Sequence, residues 1–467
     1  MRYFILFFFC VYVLKSNAQN LNNQVFDIYK KQYDEMITGN SRAPVGNEFA
    51  NVLSGYNTSN LKSNKDFADL LKNLYPTHRG IGVLFFFYNE GVLHRTFFRP
   101  GEILEEKEIM ISPSKLSQMN EDLLFALKVE SKAANRAPIK RGVKVTNNNA
   151  ARKDVNIESL TKEINKILLP DNFDTTFKQL IIIPALNIGT FPFQILKPYS
   201  DNSYLIEKCS FTISPGVIDL IACRTLMLKE NFNGSWKGNK FYIDGISDRN
   251  EDVKKADTKF KFSLSNPLFV SNPSYPKNLE YDFPDLPGAK KEVENALKYA
   301  DTYKIFDGEK AIKDSIFKYW DKTDLLYMAT HGVSDAQNPM LNSYLILSGT
   351  DAKLTARDIM NLAFQKKKFP EMVVLSACQS GLGKNMDVGV LGVARSFIIG
   401  GSKQVIMSLW NVDDEATAFL MNRFLYHLQT PSNFMPSEPL RLAMLDTKVK
   451  YPNPMYWASF SVFGLSY

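Results

Sequence analysis

The sequence predicts an α/β fold built on a largely parallel sheet, and two patterns in the chain predict it. One is an alternation of short apolar runs with stretches of helical spacing, repeated in two blocks on either side of about residue 260. The other is the run Leu180-Ile181-Ile182-Ile183, which is continuous rather than alternating, as a strand buried on both faces of a parallel sheet is. A chain of 467 residues suits two or three ordinary domains or one large α/β unit. Apolar and charged contents of 45% and 22% are those of a globular protein, which excludes wholesale disorder. The net charge of +7 is small for this length, and Lys and Arg are scattered apart from short runs such as residues 366–368. Charge therefore gives no reason to expect nucleic acid as a partner.

The elements follow in order. Arg2, an unbroken apolar run over residues 4–14 and the small residues Ser16-Asn17-Ala18 before Gln19 form the pattern of a secretory signal peptide over residues 1–18. The run of 11 residues is too short to span a bilayer as a helix, and Cys10 lies inside it rather than at a lipidation point. An exported protein, periplasmic or extracellular, is expected, with no membrane association once the signal is removed. Residues 19–77 read as a helical preamble, with Phe26, Tyr29, Tyr33 and Ile37 at helical spacing and a second short helix over 67–74. From residue 78 the pattern changes to strands: apolar residues 83–88, the turn Asn89-Glu90-Gly91 and the answering run 92–98 make a hairpin. A helix from Ser114 to about residue 129, a basic Asn-rich loop over 131–155 and a helix over 157–168 lead to the Leu180 strand.

The second block, residues 261–467, begins with a strand at 267–270 and a helix at 288–300. The strand 325–328 ends at His331. Thr355 caps a helix, with Asp358 at the reciprocal position of a capping box. The strand 372–375 ends at Cys378, a helix near 391–399 stops at Gly400-Gly401, and the strand 405–409 follows. Helices near 414–428 and 440–449 and an apolar stretch at 460–463 close the chain.

Function in such sheets collects in the crevice at the carboxyl ends of the strands. Two strands end there on chemically able residues, in Ala329-Thr330-His331-Gly332 and in Ser376-Ala377-Cys378-Gln379-Ser380-Gly381. A free thiol ionises near pH 8.5, so a neighbouring imidazole is what raises its thiolate fraction or delivers a proton to a leaving amine. Gly332 and Cys378 supply backbone N–H groups for an oxyanion. Gly381 and Gly383 leave room for a substrate backbone. Singly, a cysteine or a strand-end histidine is more often structural than catalytic; together, at matching strand ends, they point to catalysis. Signal removal leaves Cys209, Cys223 and Cys378, an odd count, and the first two either pair or are simply buried. The other histidines show no metal-like spacing, so neither metal nor cofactor is expected. Asp413 and Asp414, after the strand that carries Ser408, either cap and charge the next helix or line a pocket for a basic substrate residue walled by Trp410.

These stretches resemble the CHAT domain, a relative of caspases and separases among the caspase-like cysteine peptidases. The resemblance rests on Leu286-Pro287-Gly288-Ala289 with Glu292, residues 329–332, Leu354-Thr355-Ala356, residues 374–381, 389–401 and 408–418, and Tyr456-Trp457-Ala458-Ser459-Phe460. Ile183-Pro184 and Phe191-Pro192-Phe193 fit it as well. It implies a caspase-like three-layer α/β/α sandwich, with a degenerate caspase-like half over 78–260 supporting an active half over 261–467. It also implies a His331–Cys378 dyad, backbone donors at Gly332 and Cys378, and hydrolysis of peptide bonds. The histidine precedes the cysteine by 47 residues, close to the roughly 50 of caspases. Two departures stand out: the preamble is too short for the helical repeats that often precede such domains, and many of those domains are intracellular. Cysteine endopeptidase activity on a protein or peptide substrate is therefore expected, released by cleavage in the 131–155 loop or by an activating protein partner. The competing expectation is a non-catalytic interaction module of the same shape.

Overall fold

The computed structural model describes residues 61–75, 80–133, 156–231, 234–237, 240–243, 264–277, 279, 282–333, 343–365, 367–379, 389–410, 413–430 and 436–464. Residues 1–18, expected to be a signal peptide, the preamble helix expected at residues 26–37, nearly all of the expected 131–155 loop, and Gly381 and Gly383 lie outside them.

The first block opens with helix α1 (Asn64–Leu74), whose N-cap Ser63 accepts from the Asp66 N–H. It packs Phe67 edge-on against Phe85 and Phe98 of a meander. That meander is β1 (Ile81–Asn89), β2 (Val92–Arg99) and β3 (Glu102–Met110). Glu90 and Gly91, with φ of 47° and 87°, are both left-handed, the backbone a tight two-residue hairpin needs. Helices α2 (Pro113–Ala133) and α3 (Ile157–Leu168) then lead to β4 (Gln179–Ile183), buried throughout, and β5 (Ser210–Ile213). Helix α4 (Val217–Asn231) and a separate hairpin, β6 (Gly234–Lys237) with β7 (Lys240–Ile243), end the block.

The second block runs β8 (Leu268–Pro273), α5 (Pro287–Leu297), β9 (Lys304–Gly308), α6 (Lys313–Tyr319), β10 (Leu325–Ala329) and β11 (His331–Val333). It continues with β12 (Tyr344–Ile346), β13 (Lys353–Thr355), α7 (Ala356–Phe364), β14 (Met372–Leu375) and β15 (Cys378–Gln379). Helix α8 (Gly389–Gly400), β16 (Gln404–Ser408), α9 (Asp414–Leu428), α10 (Ser437–Lys450) and β17 (Phe460–Gly464) complete it. Thr355 and Asp358 form the expected reciprocal capping box on α7.

Eleven strands form one sheet in the order β3-β2-β1-β4-β5-β17-β16-β14-β10-β8-β9. It is antiparallel at β1–β2, β2–β3 and β16–β17 and parallel at its other junctions. The last strand, β17, is inserted between β16 and β5 and so joins the two blocks into one sheet with one continuous apolar core. Gln194, fully buried, reinforces the seam by donating to the carbonyls of Ala458 and Phe460. Arg395 of α8 pairs with the buried Asp219 of α4 at 3.1 Å across the same seam.

The connections also decide which face each helix covers. The chain leaves β8 toward β9 through α5, then doubles back through α6 to β10 and on to β14 and β16. Parallel crossovers are right-handed, so reversing direction moves the helices to the other face. Helix α5, with α9 packed on it, covers one side, and α6, α7 and α8 the other, which makes the three layers. The reversal falls between β8 and β10, and that switch point opens a crevice at their carboxyl ends.

At the α9–α10 contact, Asp446 accepts from His427 Nε2 at 2.7 Å and from Arg423 Nε at 2.6 Å. Burial pushes the Asp446 carboxyl up, but the bonds from His427 and Arg423 outweigh it and hold it below its ordinary value. Burial of Asp358 is likewise outweighed by hydrogen bonds from Thr355 and Lys313. A carboxyl depressed in the folded state adds stability above its unfolded pKa, near 3.9, and loses it as the pH falls through the folded value. Stability is therefore expected to decline from about pH 4 downward. Equilibrium urea unfolding of Asp446→Asn should show a shallower decline there than the parent; an identical pH slope would reject the contribution of Asp446.

Candidate active site

Strands β10 and β14 run in parallel register from Leu325↔Met372 to Met328↔Leu375. The same offset continues beyond their ends, where β11 and β15 pair His331↔Cys378 and Gly332↔Gln379. Neighbouring strands lie about 4.8 Å apart, so the backbones of the two residues face each other one strand spacing apart. They belong to a small sheet of order β13-β12-β11-β15, which grows from the carboxyl edge of the large one. Gly332, in the middle of β11, is the register partner of Leu345 on one side and of Gln379 on the other.

The His331 imidazole is 1% exposed. Tyr275 stands edge-on to it at 4.8 Å between ring centres, and Phe283 lies 5.4 Å away. Its Nε2 is 2.7 Å from the carbonyl oxygen of Pro284. A carbonyl only accepts, so Nε2 carries the proton, and in the neutral ring Nδ1 is the basic nitrogen. The Pro284 segment is itself held, because the Leu286 N–H donates at 2.7 Å to Asn272 Oδ1. Asn272 adopts φ of 39° at the irregular end of β8, a conformation asparagine tolerates better than most residues. The orienting group for the histidine thus comes from the loop between β8 and α5, across the switch point. Sequence reading supplies no such group, since a backbone carbonyl has no residue signature; the only available signal is the pair Pro284 and Pro287, which restrict the local backbone.

Two hydroxyls brace the strand ends. Ser408, fully buried at the end of β16, donates at 2.9 Å to the carbonyl of Ala377, the residue before Cys378. Thr330, before His331, donates to the carbonyl of Ile346 in β12.

The remaining predicted residues sit beyond β16. Asp413 is the N-cap of α9, and its carboxylate accepts from the N–H groups of Glu415 and Ala416. Asp414 is buried against the first turn of α5, where a Cβ on Gly288 would come within 2.3 Å of its carboxylate. Trp410 is 1% exposed, with Nε1 donating to the Met455 carbonyl at 3.1 Å. The structure thus brings His331 and Cys378 together in register, while Asp413 serves a helix end and Trp410 the core. Cys209 and Cys223 are both free and buried, and burial raises both thiols well above their ordinary range. Among the described residues no group of three or more His, Cys, Asp or Glu side chains forms a metal cluster, and no helix is long and apolar enough to cross a membrane.

A family model described as "CHAT domain" matches residues 157–465. The chain belongs to the CHAT domain family. The match to the CHAT domain includes β4 through β17 and leaves the β1–β3 meander, which shares the sheet, before its start. Tetratricopeptide repeat protein 28 of Homo sapiens is 19% identical over 324 residues, 62% of this chain and 12% of that protein. Its Mus musculus counterpart is 26% identical over 111 residues, 24% of this chain and 4% of that protein. This CHAT domain chain therefore spans a small part of the length of these curated relatives. Among solved structures, the Saccharomyces cerevisiae separase–securin complex is similar at 11% identity and a TM-score of 0.46, covering 87% of this chain and 31% of that one. The Arg-specific cysteine proteinase gingipain R is similar at 10% identity and a TM-score of 0.40, covering 75% and 74%. The Drosophila initiator caspase Dronc has a TM-score of 0.26 at 12% identity, covering 44% and 81%.

Proposed function

We propose that this CHAT domain is a cysteine endopeptidase, and the observation that carries the reading is the His331↔Cys378 register with His331 Nε2 tied to a carbonyl. The thiol proton of Cys378 passes to His331 Nδ1, and the thiolate sulfur attacks the scissile carbonyl carbon. The N–H groups of Gly332 and Cys378 receive the oxyanion of the tetrahedral intermediate. Its collapse breaks the C–N bond as His331 returns the proton to the leaving amine, and water activated by the same nitrogen then releases the acyl group from sulfur. The Ser408 bond supports the assignment by fixing the carbonyl of the planar peptide unit whose N–H belongs to Cys378. Export rests on the pattern of residues 1–18, whereas Asp413, spent on the α9 N-cap, and Asp414, buried against α5, give a preference for a basic residue before the cut no support.

The burial of His331 beneath Tyr275 and Phe283 favours an enzyme that a protein partner or a cut in the 131–155 loop must open. The same burial is what a binding-only module would show. A protein mixture treated with the parent chain and with Cys378→Ala, followed by N-terminal sequencing of the fragments, separates the two. New N-termini produced only by the parent are expected. Identical fragment sets, together with no preferential labelling of Cys378 by a thiol-reactive peptide probe in any condition, would favour the module.

A further inference from the structure

At the end of the sheet far from His331, β3 is an edge strand, paired among the described residues with β2 alone. Its sequence, EILEEKEIM, alternates between half-buried and exposed positions, and the two sets differ in what they offer. On the half-buried side the charges have partners: Glu105 pairs with the buried Arg95, and Lys107 with Asp171 at 2.8 Å. The exposed set is Glu102, which pairs with Arg99 at 3.4 Å, then Leu104, Glu106, Glu108 and Met110, three carboxylates with two apolar side chains and no lysine. An acidic strip on a chain of net charge +7 runs against the overall balance. Edge strands are commonly blunted by lysine, proline or a bulge. Here the bulge lies between Phe97 and Phe98, opposite the Glu102 end, and the pairing from Glu105↔Phe97 to Met110↔Val92 is regular.

Beneath this strip is a cavity of about 190 Å³, lined by Asn64 at the start of α1, by Phe85, Phe87, His94, Thr96, Glu106 and Glu108, and by Arg95 and Lys107, whose charges are already paired with Glu105 and Asp171. Asn64 Oδ1 and His94 Nε2 are both buried there without a hydrogen-bond partner, although Asn64 is 93% buried (7% exposed). Asn64 uses its Nδ2 to donate to Glu106 at 2.6 Å and to Thr96 at 3.2 Å, which leaves its oxygen as an acceptor. Burial lowers the pKa of His94, and its Nδ1 faces the Glu108 carboxylate at 3.6 Å. That contact is too long for a hydrogen bond, and Nε2 is the ring nitrogen buried without a partner. With Arg95 and Lys107 paired elsewhere, the unfilled Asn64 oxygen, the Glu106 and Glu108 carboxylates and the rings of Phe85 and Phe87 around one hollow suit an ammonium or guanidinium group.

We propose that the outer edge of β3 takes up an extended peptide segment as an added strand, with Lys or Arg at alternate positions and one of those cations seated in the Asn64–His94 cavity. Main-chain bonds to the edge that no described strand occupies give the affinity and the alternate side chains the selectivity. A second copy of this chain is the wrong occupant, because β3 against β3 would set Glu opposite Glu, and like charges across strands repel. The segment therefore belongs to a basic partner or substrate, held seven to eight strand steps, about 35 Å, from the His331–Cys378 pair. This site stands independently of whether that pair is catalytic.

Fluorescence anisotropy on the full chain carrying Cys378→Ala tests it, with a labelled nine-residue peptide alternating Lys and Val, its Glu–Val counterpart, and two backbone N-methylated forms. The two forms carry methyl groups on opposite sets of alternate residues. Saturable binding of the Lys–Val peptide is expected, weakened at least about tenfold by Glu106→Gln with Glu108→Gln, roughly 1.4 kcal/mol. One N-methylated form should lose binding and the other keep it, since only one set of N–H groups faces an edge. Equal binding of both methylated forms, binding of the Glu–Val peptide as tight as the Lys–Val one, an unchanged affinity in the double variant, or no binding at all would overturn the proposal.

Discussion

His331→Ala is expected to lower kcat/KM for a cleaved peptide by about 10²- to 10⁴-fold, the usual worth of a positioned acid–base group. The ring is held by the Pro284 carbonyl and flanked by Tyr275 and Phe283, so its removal leaves a hole as well as a missing base. A drop in activity alone could then come from a loosened fold. Alkylation of Cys378 by iodoacetamide, followed against pH, isolates the chemistry. With the imidazole present, the reaction should gain rate below the ordinary thiol range; in His331→Ala it should follow a thiol of pKa near 8.5. His331→Phe fills the hole without supplying a base, and it should behave as the alanine variant does. Retention of full kcat/KM in His331→Phe would remove the acid–base role altogether.

What could be read from the sequence was what local chemistry dictates. Thr355 with Asp358, the Asn89-Glu90-Gly91 turn and the continuous run at 180–183 each act over a few residues, and each forms the element expected of it. The strand ends that carry His331 and Cys378 were legible for the same reason. Their register was not, because it depends on how β10 and β14 align across an intervening helix and small sheet. Strand β3 escaped notice because four glutamates obscure its period-two pattern. The insertion of β17 between β5 and β16 is a pairing between the end of the chain and its middle, and the short run at 460–463 says nothing of its neighbours. The two-block reading therefore found the alternations but not the seam that makes them one sheet.

The seam and the site share one support, and Trp320 is at its centre. Its indole is fully buried, stacked on Phe397 of α8 at 5.8 Å and 12°, and edge-on to Phe317 and Phe369. Phe369 in turn covers Gly400, where a Cβ would come within 2.1 Å of its ring. The layer has no slack with which to close over a lost side chain. Trp320→Ala is accordingly expected to cost about 3–5 kcal/mol of unfolding free energy, read from the urea midpoint at constant m-value. Trp320→Phe should cost distinctly less, and for a second reason besides size. The indole Nε1 is buried without a hydrogen-bond partner, and an unsatisfied buried donor costs about 1–3 kcal/mol, which phenylalanine removes. Equal losses in the two variants would mean that ring volume is not what holds the layer, and that the indole N–H has a partner in solution. Because Phe397 belongs to the helix that follows the Cys378 segment, the proposed peptidase activity should fall in folded Trp320→Ala with the stacking contact, through kcat more than KM.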